Sequence, residues 1–70
     1  MSIITSLAVT KIDALGAELC RETFRSGKEW FVIYFTEDGF EYIEGVFHSE
    51  QHALVCYNKL VAAIEAGWRP

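Results

Sequence analysis

Proline is all but missing from this chain: of 70 residues only the last, Pro70, is one. No proline-rich linker can be drawn, and no ring interrupts a strand or helix interior. The two cysteines, Cys20 and Cys56, are too few for the disulfide framework of a small secreted scaffold, which at this length carries about four to eight. Both read as reduced thiols, which points to a cytoplasmic protein. Positive charge is scarce as well. Six Lys and Arg stand against ten Asp and Glu, a net charge of −4, the wrong sign for a domain that gains affinity by neutralising phosphates, so nucleic acid is not expected as a direct ligand. No Lys or Arg precedes Lys11, and the apolar opening is too short for a signal peptide or a membrane span, so no membrane association is expected. The length leaves room for a single domain, residues 1–70, and excludes a bilobal enzyme with an interdomain cleft.

Apolar residues, by contrast, are abundant, at 51% with 14% aromatic, and the mean hydropathy is +0.17. A domain this small hides only about 60% of the surface its unfolded chain exposes. Some apolar surface is therefore expected to stay outside or to meet a partner.

Ser2 to Val9 is rich in Ile, Thr and Val and reads as a first strand. From Thr10 onward Ile12, Leu15, Gly16, Leu19, Cys20 and Thr23 fall on one helical stripe, with Lys11, Glu18, Arg21, Glu22 and Arg25 opposite. Thr10 with Asp13 resembles a capping box and Gly27 a C-terminal stop, so the periodicity predicts a helix over 11–25. The rival reading makes Leu19 to Arg25 a strand closed by a Ser26-Gly27 turn. Trp30 to Phe35 is a run of β-formers and reads as a central strand. Asp38-Gly39 marks a turn, and Phe40 to Phe47 returns antiparallel. A three-residue loop Glu37-Asp38-Gly39 would put Phe31, Ile33, Phe35, Ile43 and Phe47 on one face, the expected core, and Trp30, Val32, Tyr34, Phe40, Tyr42, Glu44 and Val46 on the other. A two-residue loop would mate Phe31, Ile33 and Phe35 with Phe40, Tyr42 and Val46 instead. Ser49 is an N-cap, and Ala53, Cys56, Tyr57, Leu60, Ile64 and Trp68 mark a final helix that Gly67 ends. The expected fold is α+β, a two-layer β-α-β-β-α domain with both helices on one face of an antiparallel sheet. The alternative is ββββα.

No arrangement of residues names a reaction. His48 and His52 flank Glu50, but with Ser49 as N-cap His48 lies outside the helix, and the third and fourth ligands of a zinc site are missing. Cys20 and Cys56 sit on apolar stripes and read as small core residues rather than nucleophiles. No phosphate loop, catalytic carboxylate pair or nucleophile elbow is present. Neither metal nor cofactor is expected, and a metal or thiol enzyme is the weakest of the readings.

Charge is the informative feature. Residues 28–50 hold Glu29, Glu37, Asp38, Glu41, Glu44 and Glu50 against Lys28 alone, a net of −5, and most of the aromatics lie in or beside this segment. Acidic side chains beside Trp30, Tyr34, Phe40 and Tyr42 suit a surface that docks on a basic partner, with the aromatics as anchors and Glu37, Asp38, Glu41 and Glu44 for steering. The same acids would also keep an apolar hairpin soluble.

The run Gly45-Val46-Phe47-His48-Ser49 leading into Ala53 resembles the strand-to-helix corner of the AP2-like DNA-binding domains of phage integrases. It covers less than half of the chain. Those domains press a basic sheet onto DNA, whereas this segment is acidic, so the resemblance does not bring the activity with it. The expectation is a non-enzymatic protein–protein interaction module for a basic protein surface. By class analogy it is similar to the small acidic inhibitors of phages and mobile elements, anti-CRISPR proteins among them, that occupy nucleic-acid-binding host complexes. The alternative is a homodimeric structural or assembly protein, self-associating through Trp30, Val32 and Tyr34.

Overall fold

A computed structural model describes residues 1–70. Four strands and one helix follow in the order β1 (Ile3–Ile12), β2 (Leu15–Phe24), β3 (Gly27–Thr36), β4 (Glu41–Phe47) and α1 (Glu50–Glu65). The strands form one antiparallel sheet in sequence order, β1-β2-β3-β4, and α1 packs across one face. This is the α+β fold in its ββββα form.

The helix expected over 11–25 is instead the second half of β1, a turn, and β2. Two features of the sequence imitate a helix here. Ile12 and Leu15 are three apart because Asp13-Ala14 is a two-residue turn and the two residues are cross-strand partners. Leu15 and Leu19 are four apart, a spacing that a strand also places on one face. Asp13, which mimicked part of a capping box, is the turn residue itself, with φ +55. Asp is among the few side chains that tolerate this left-handed region. The tie is broken by neighbours: as a strand, residues 15–23 pair with β1 on one side and residues 15–24 with β3 on the other.

The β3–β4 hairpin has the three-residue loop Glu37-Asp38-Gly39. Gly39 adopts φ +93, and its N–H donates to the Thr36 carbonyl at 3.0 Å, while the Thr36 N–H donates to the Phe40 carbonyl at 2.9 Å. Ile33 thus faces Ile43, Tyr34 faces Tyr42 and Phe35 faces Glu41. Beyond Ile43 the register slips by one residue at Glu44, so that Val32 meets Gly45, Phe31 meets Val46 and Trp30 meets Phe47. This bulge moves Phe47 away from Phe31 and onto the side of Trp30.

The core also lies on the face opposite to the one expected. Leu15, Ala17 and Leu19 of β2 and Val32 of β3 are buried under Ala53, Tyr57, Leu60 and Ile64 of α1, with Trp30, Tyr34 and Phe47 partly buried at the margin. The alternation of β2 decides it: Leu15, Ala17 and Leu19 point one way, Gly16, Glu18, Cys20 and Glu22 the other. The helix covers the side without carboxylates. Helix α1 is capped as its sequence indicated. Ser49 Oγ accepts from the His52 N–H at 3.4 Å. At the other end Gly67 (φ +99) donates to the Ile64 carbonyl and Trp68 to the Ala63 carbonyl, a Schellman closure. Thr10 on β1 ties to Tyr57 on the helix, their hydroxyl oxygens 2.5 Å apart.

Candidate interaction face

Cross-strand partners share a face, so the pairing defines the side of the sheet that α1 leaves bare. It carries Ile4, Ser6, Val9 and Lys11 from β1 and Gly16, Glu18, Cys20 and Glu22 from β2. From β3 come Glu29, Phe31, Ile33 and Phe35, and from β4 Glu41, Ile43 and Val46. The two inner strands floor this face, with Cys20 and Ile33 buried and Phe31 and Phe35 half-buried. The outer strands wall it with exposed aliphatics: Ile4 at 60%, Val9 at 56%, Ile43 at 67% and Val46 at 53%. Glycine has a packing role in the floor. The Phe35 ring lies across Gly16, occupying the space a Cβ there would need. A shallow depression of about 330 Å³ is lined by Ile4, Ser6, Cys20, Phe31 and Ile33 with the carboxylates of Glu18 and Glu41.

Four acids and one lysine, a balance of −3, occupy this face. Glu22 and Glu29 stand directly opposite each other on β2 and β3, an unfavourable pairing of like charges. Their only side-chain partners are uncharged or weakly basic: Ser2 Oγ donates to Glu22 Oε2 at 2.7 Å, and His48 Nδ1 lies 3.9 Å from Glu29 Oε2. That last contact is the only one in the molecule that brings a basic side chain within 4.0 Å of a carboxylate. Lys11 shares the face, but no lysine or arginine of the chain pairs with any of its four carboxylates.

The carboxylates also act on the thiol beneath them. Burial first, then the charge of Glu18 and the hydrogen bond its carboxylate accepts from the thiol, and finally the charge of Glu41, push Cys20 from the ordinary 9.0 up to about 11. Cys56 is raised as well, by burial first and by Glu44, against the lowering effect of Lys59. Both thiols stay protonated at neutral pH and are weak nucleophiles. His48 and His52 do not converge with other ligands; no three His, Cys, Asp or Glu side chains come together at a point that could hold a metal ion. No helix is long and apolar enough to cross a membrane.

The residues singled out from the sequence divide among five places. Tyr34, Phe40 and Tyr42 come together on the helix side of the hairpin. Tyr34 and Tyr42 stack at 4.9 Å between ring centroids, Phe40 lies 6.5 Å from Tyr42, and Trp68 closes on Tyr34 edge-on at 5.2 Å. Trp68 belongs to this aromatic row by the Schellman closure of α1. Glu37 and Asp38 are exposed in the adjacent turn. Trp30 lies at the far end of β3, opposite Arg21 and partly buried against the core, its indole Nε1 without a hydrogen-bond acceptor. Glu44 is the bulge residue and lines a groove of about 380 Å³ between β4 and α1, together with Phe47, Cys56 and Trp68. Of the eight, only Glu41 lies on the bare face. Sequence reasoning missed Glu18, Glu22 and Glu29 there, along with the aliphatic walls; the visible signal was the i, i+2 alternation of Glu18, Cys20 and Glu22.

No protein-family model, no curated protein and no solved structure matches the chain.

Proposed function

We propose that the protein is a non-enzymatic interaction module whose bare sheet face docks on a basic protein surface. The observation that carries this reading is the coincidence, on one uncovered face, of exposed aliphatic walls with Glu18, Glu22, Glu29 and Glu41, none of them paired with a lysine or arginine of the same chain. Apolar contact would supply affinity. The carboxylates would steer approach and select a partner bearing Lys or Arg, because an uncharged partner would bury them without compensation. Stacking two bare faces of this protein would press like charges together, which disfavours a homodimer of that kind; the Trp30, Val32 and Tyr34 side is covered by α1. Basic surfaces of this sort occur on nucleic-acid-binding complexes, so inhibition by occupying a groove meant for phosphate is the specific role that fits.

The test is affinity capture with two variants of equal charge change. One replaces Glu18, Glu22, Glu29 and Glu41 by Gln. The other replaces Glu37, Asp38 and Glu44 by the corresponding amides together with Glu65→Gln. Loss of partner in the first and retention in the second is expected. Equal binding by both variants would remove the face from consideration.

A further inference from the structure

The two edges of the sheet are not alike. Edge β4 is only 7 residues long and carries the carboxylates Glu41 and Glu44, devices that keep an edge from pairing with another chain. Edge β1 has 10 residues, no proline and a single charge, Lys11. Ile3, Ile4, Leu7 and Val9 are exposed along it, and its outer backbone groups have no partner strand. We infer that β1 pairs antiparallel with β1 of a second copy, continuing the sheet across a two-fold axis at Leu7 and Ala8. This inference does not depend on the proposed function.

The bulge in β1 is the argument for a second copy rather than any other strand. Full-length antiparallel self-pairing of residues 3–12 sets Ile3 of each copy against Ile12 of the other. In a regular strand those two residues lie on opposite faces, because an odd separation reverses the side chain. Here Leu7 is an extra residue between Ser6 and Ala8 in the β1–β2 ladder, and it inverts the alternation at the middle of the strand. The four rungs on either side of the central Leu7–Ala8 pair then match. Ile3 meets Ile12 and Thr5 meets Thr10 on the helix side; Ile4 meets Lys11 and Ser6 meets Val9 on the bare side. The full-length register is thus one in which the faces of these rungs agree.

Charge agrees with the same register. On the bare side Lys11 of one copy, Ile4 of the other and Glu22 of the other form a continuous row, since Ile4 is already the cross-strand partner of Glu22. Two strand steps, about 10 Å, separate the ends of that row, a span two long side chains close by lying along the isoleucine between them. Each lysine would then answer a Glu22–Glu29 pair that has no Lys or Arg partner within its own chain. A two-fold perpendicular to the sheet leaves both bare faces on one side, so the acidic surface is doubled rather than occluded.

Sedimentation equilibrium of the full chain, from about 1 µM to about 1 mM, tests this. The wild type is expected to pass from monomer to dimer. Leu7→Lys and Lys11→Glu should each weaken the dimer at least about tenfold, and Lys11→Glu with Glu22→Lys should restore it. A monomer throughout the range would overturn the inference, and so would a dimer indifferent to Leu7→Lys and to the Lys11 exchange. If circular dichroism shows that Leu7→Lys does not fold, the Lys11 and Glu22 exchange at the surface decides alone.

Discussion

One added methyl group examines the floor of the bare face. In Gly16→Ala the new Cβ would stand 2.1, 2.5 and 2.7 Å from three carbons of the Phe35 ring, so the ring must retreat by about 1.3 Å to reach an ordinary 3.4 Å contact. The obstacle is a side chain on a face that nothing covers, so the ring can swing toward solvent. The cost is its packing on β2, in the range of overpacked sites, about 1 to 3 kcal/mol. Against this, alanine restricts the unfolded chain more than glycine does, a gain of about 0.4 to 1 kcal/mol. Equilibrium urea unfolding should therefore show Gly16→Ala destabilised, by up to about 2.6 kcal/mol. In a Phe35→Ala background, with the ring gone, the same change should be neutral or stabilising. The double-mutant cycle isolates the clash between the new Cβ and the ring, because in the Phe35→Ala background the added methyl no longer meets the ring. Equal destabilisation in both backgrounds would refute the reasoning and imply that Gly16 is required by its backbone instead.

Three further outcomes follow from the same geometry. Tyr57→Phe removes one of two hydroxyls 2.5 Å apart and leaves Thr10 unpartnered beneath the helix, and denaturation should show a loss of about 1 kcal/mol; a change below experimental error would mean that the contact contributes nothing net. Asp13→Gly relaxes a non-glycine residue at φ +55 and should leave stability unchanged or raise it by up to about 1 kcal/mol, whereas Asp13→Val should lower the melting temperature. Cys20 titrates at about 11 when folded against 9.0 ordinarily. The unfolded state therefore releases this proton first. The stabilising contribution is fully present below pH 9 and is lost as pH rises through about 11, so Cys20→Ala should flatten the fall in stability across that interval, and an unaltered slope would contradict the assignment.

Much of this structure was legible before any coordinates. Trp30 to Phe35, the Glu37-Asp38-Gly39 loop, the Ser49 cap and the Gly67 stop each combine a propensity with a specific backbone requirement, and each is where the sequence placed it. The second strand was not legible, because Ile12, Leu15 and Leu19 satisfy helical and strand periodicity alike, and the contacts that favour the strand come from β1 and β3. The buried side of the hairpin was misread for a related reason. A single residue, Glu44, shifts Phe47 to the other face, and the mark it leaves is Gly45, a glycine inside a strand, which is a known companion of bulges. Two of the acids on the bare face, Glu29 and Glu41, lie in the acidic segment 28–50 that stands out in the sequence, while the other two, Glu18 and Glu22, lie in β2 and join them only once that segment is a strand.

The most direct measurement of the central claim is methyl and amide chemical-shift mapping while the protein is titrated with a synthetic peptide that alternates lysine and leucine. Perturbations confined to Ile4, Val9, Ile33, Ile43 and Val46, and abolished when Glu18, Glu22, Glu29 and Glu41 become Gln, are the expected result. Shifts centred on Leu54 and Val55 of α1, or binding that survives loss of those four carboxylates, would contradict it.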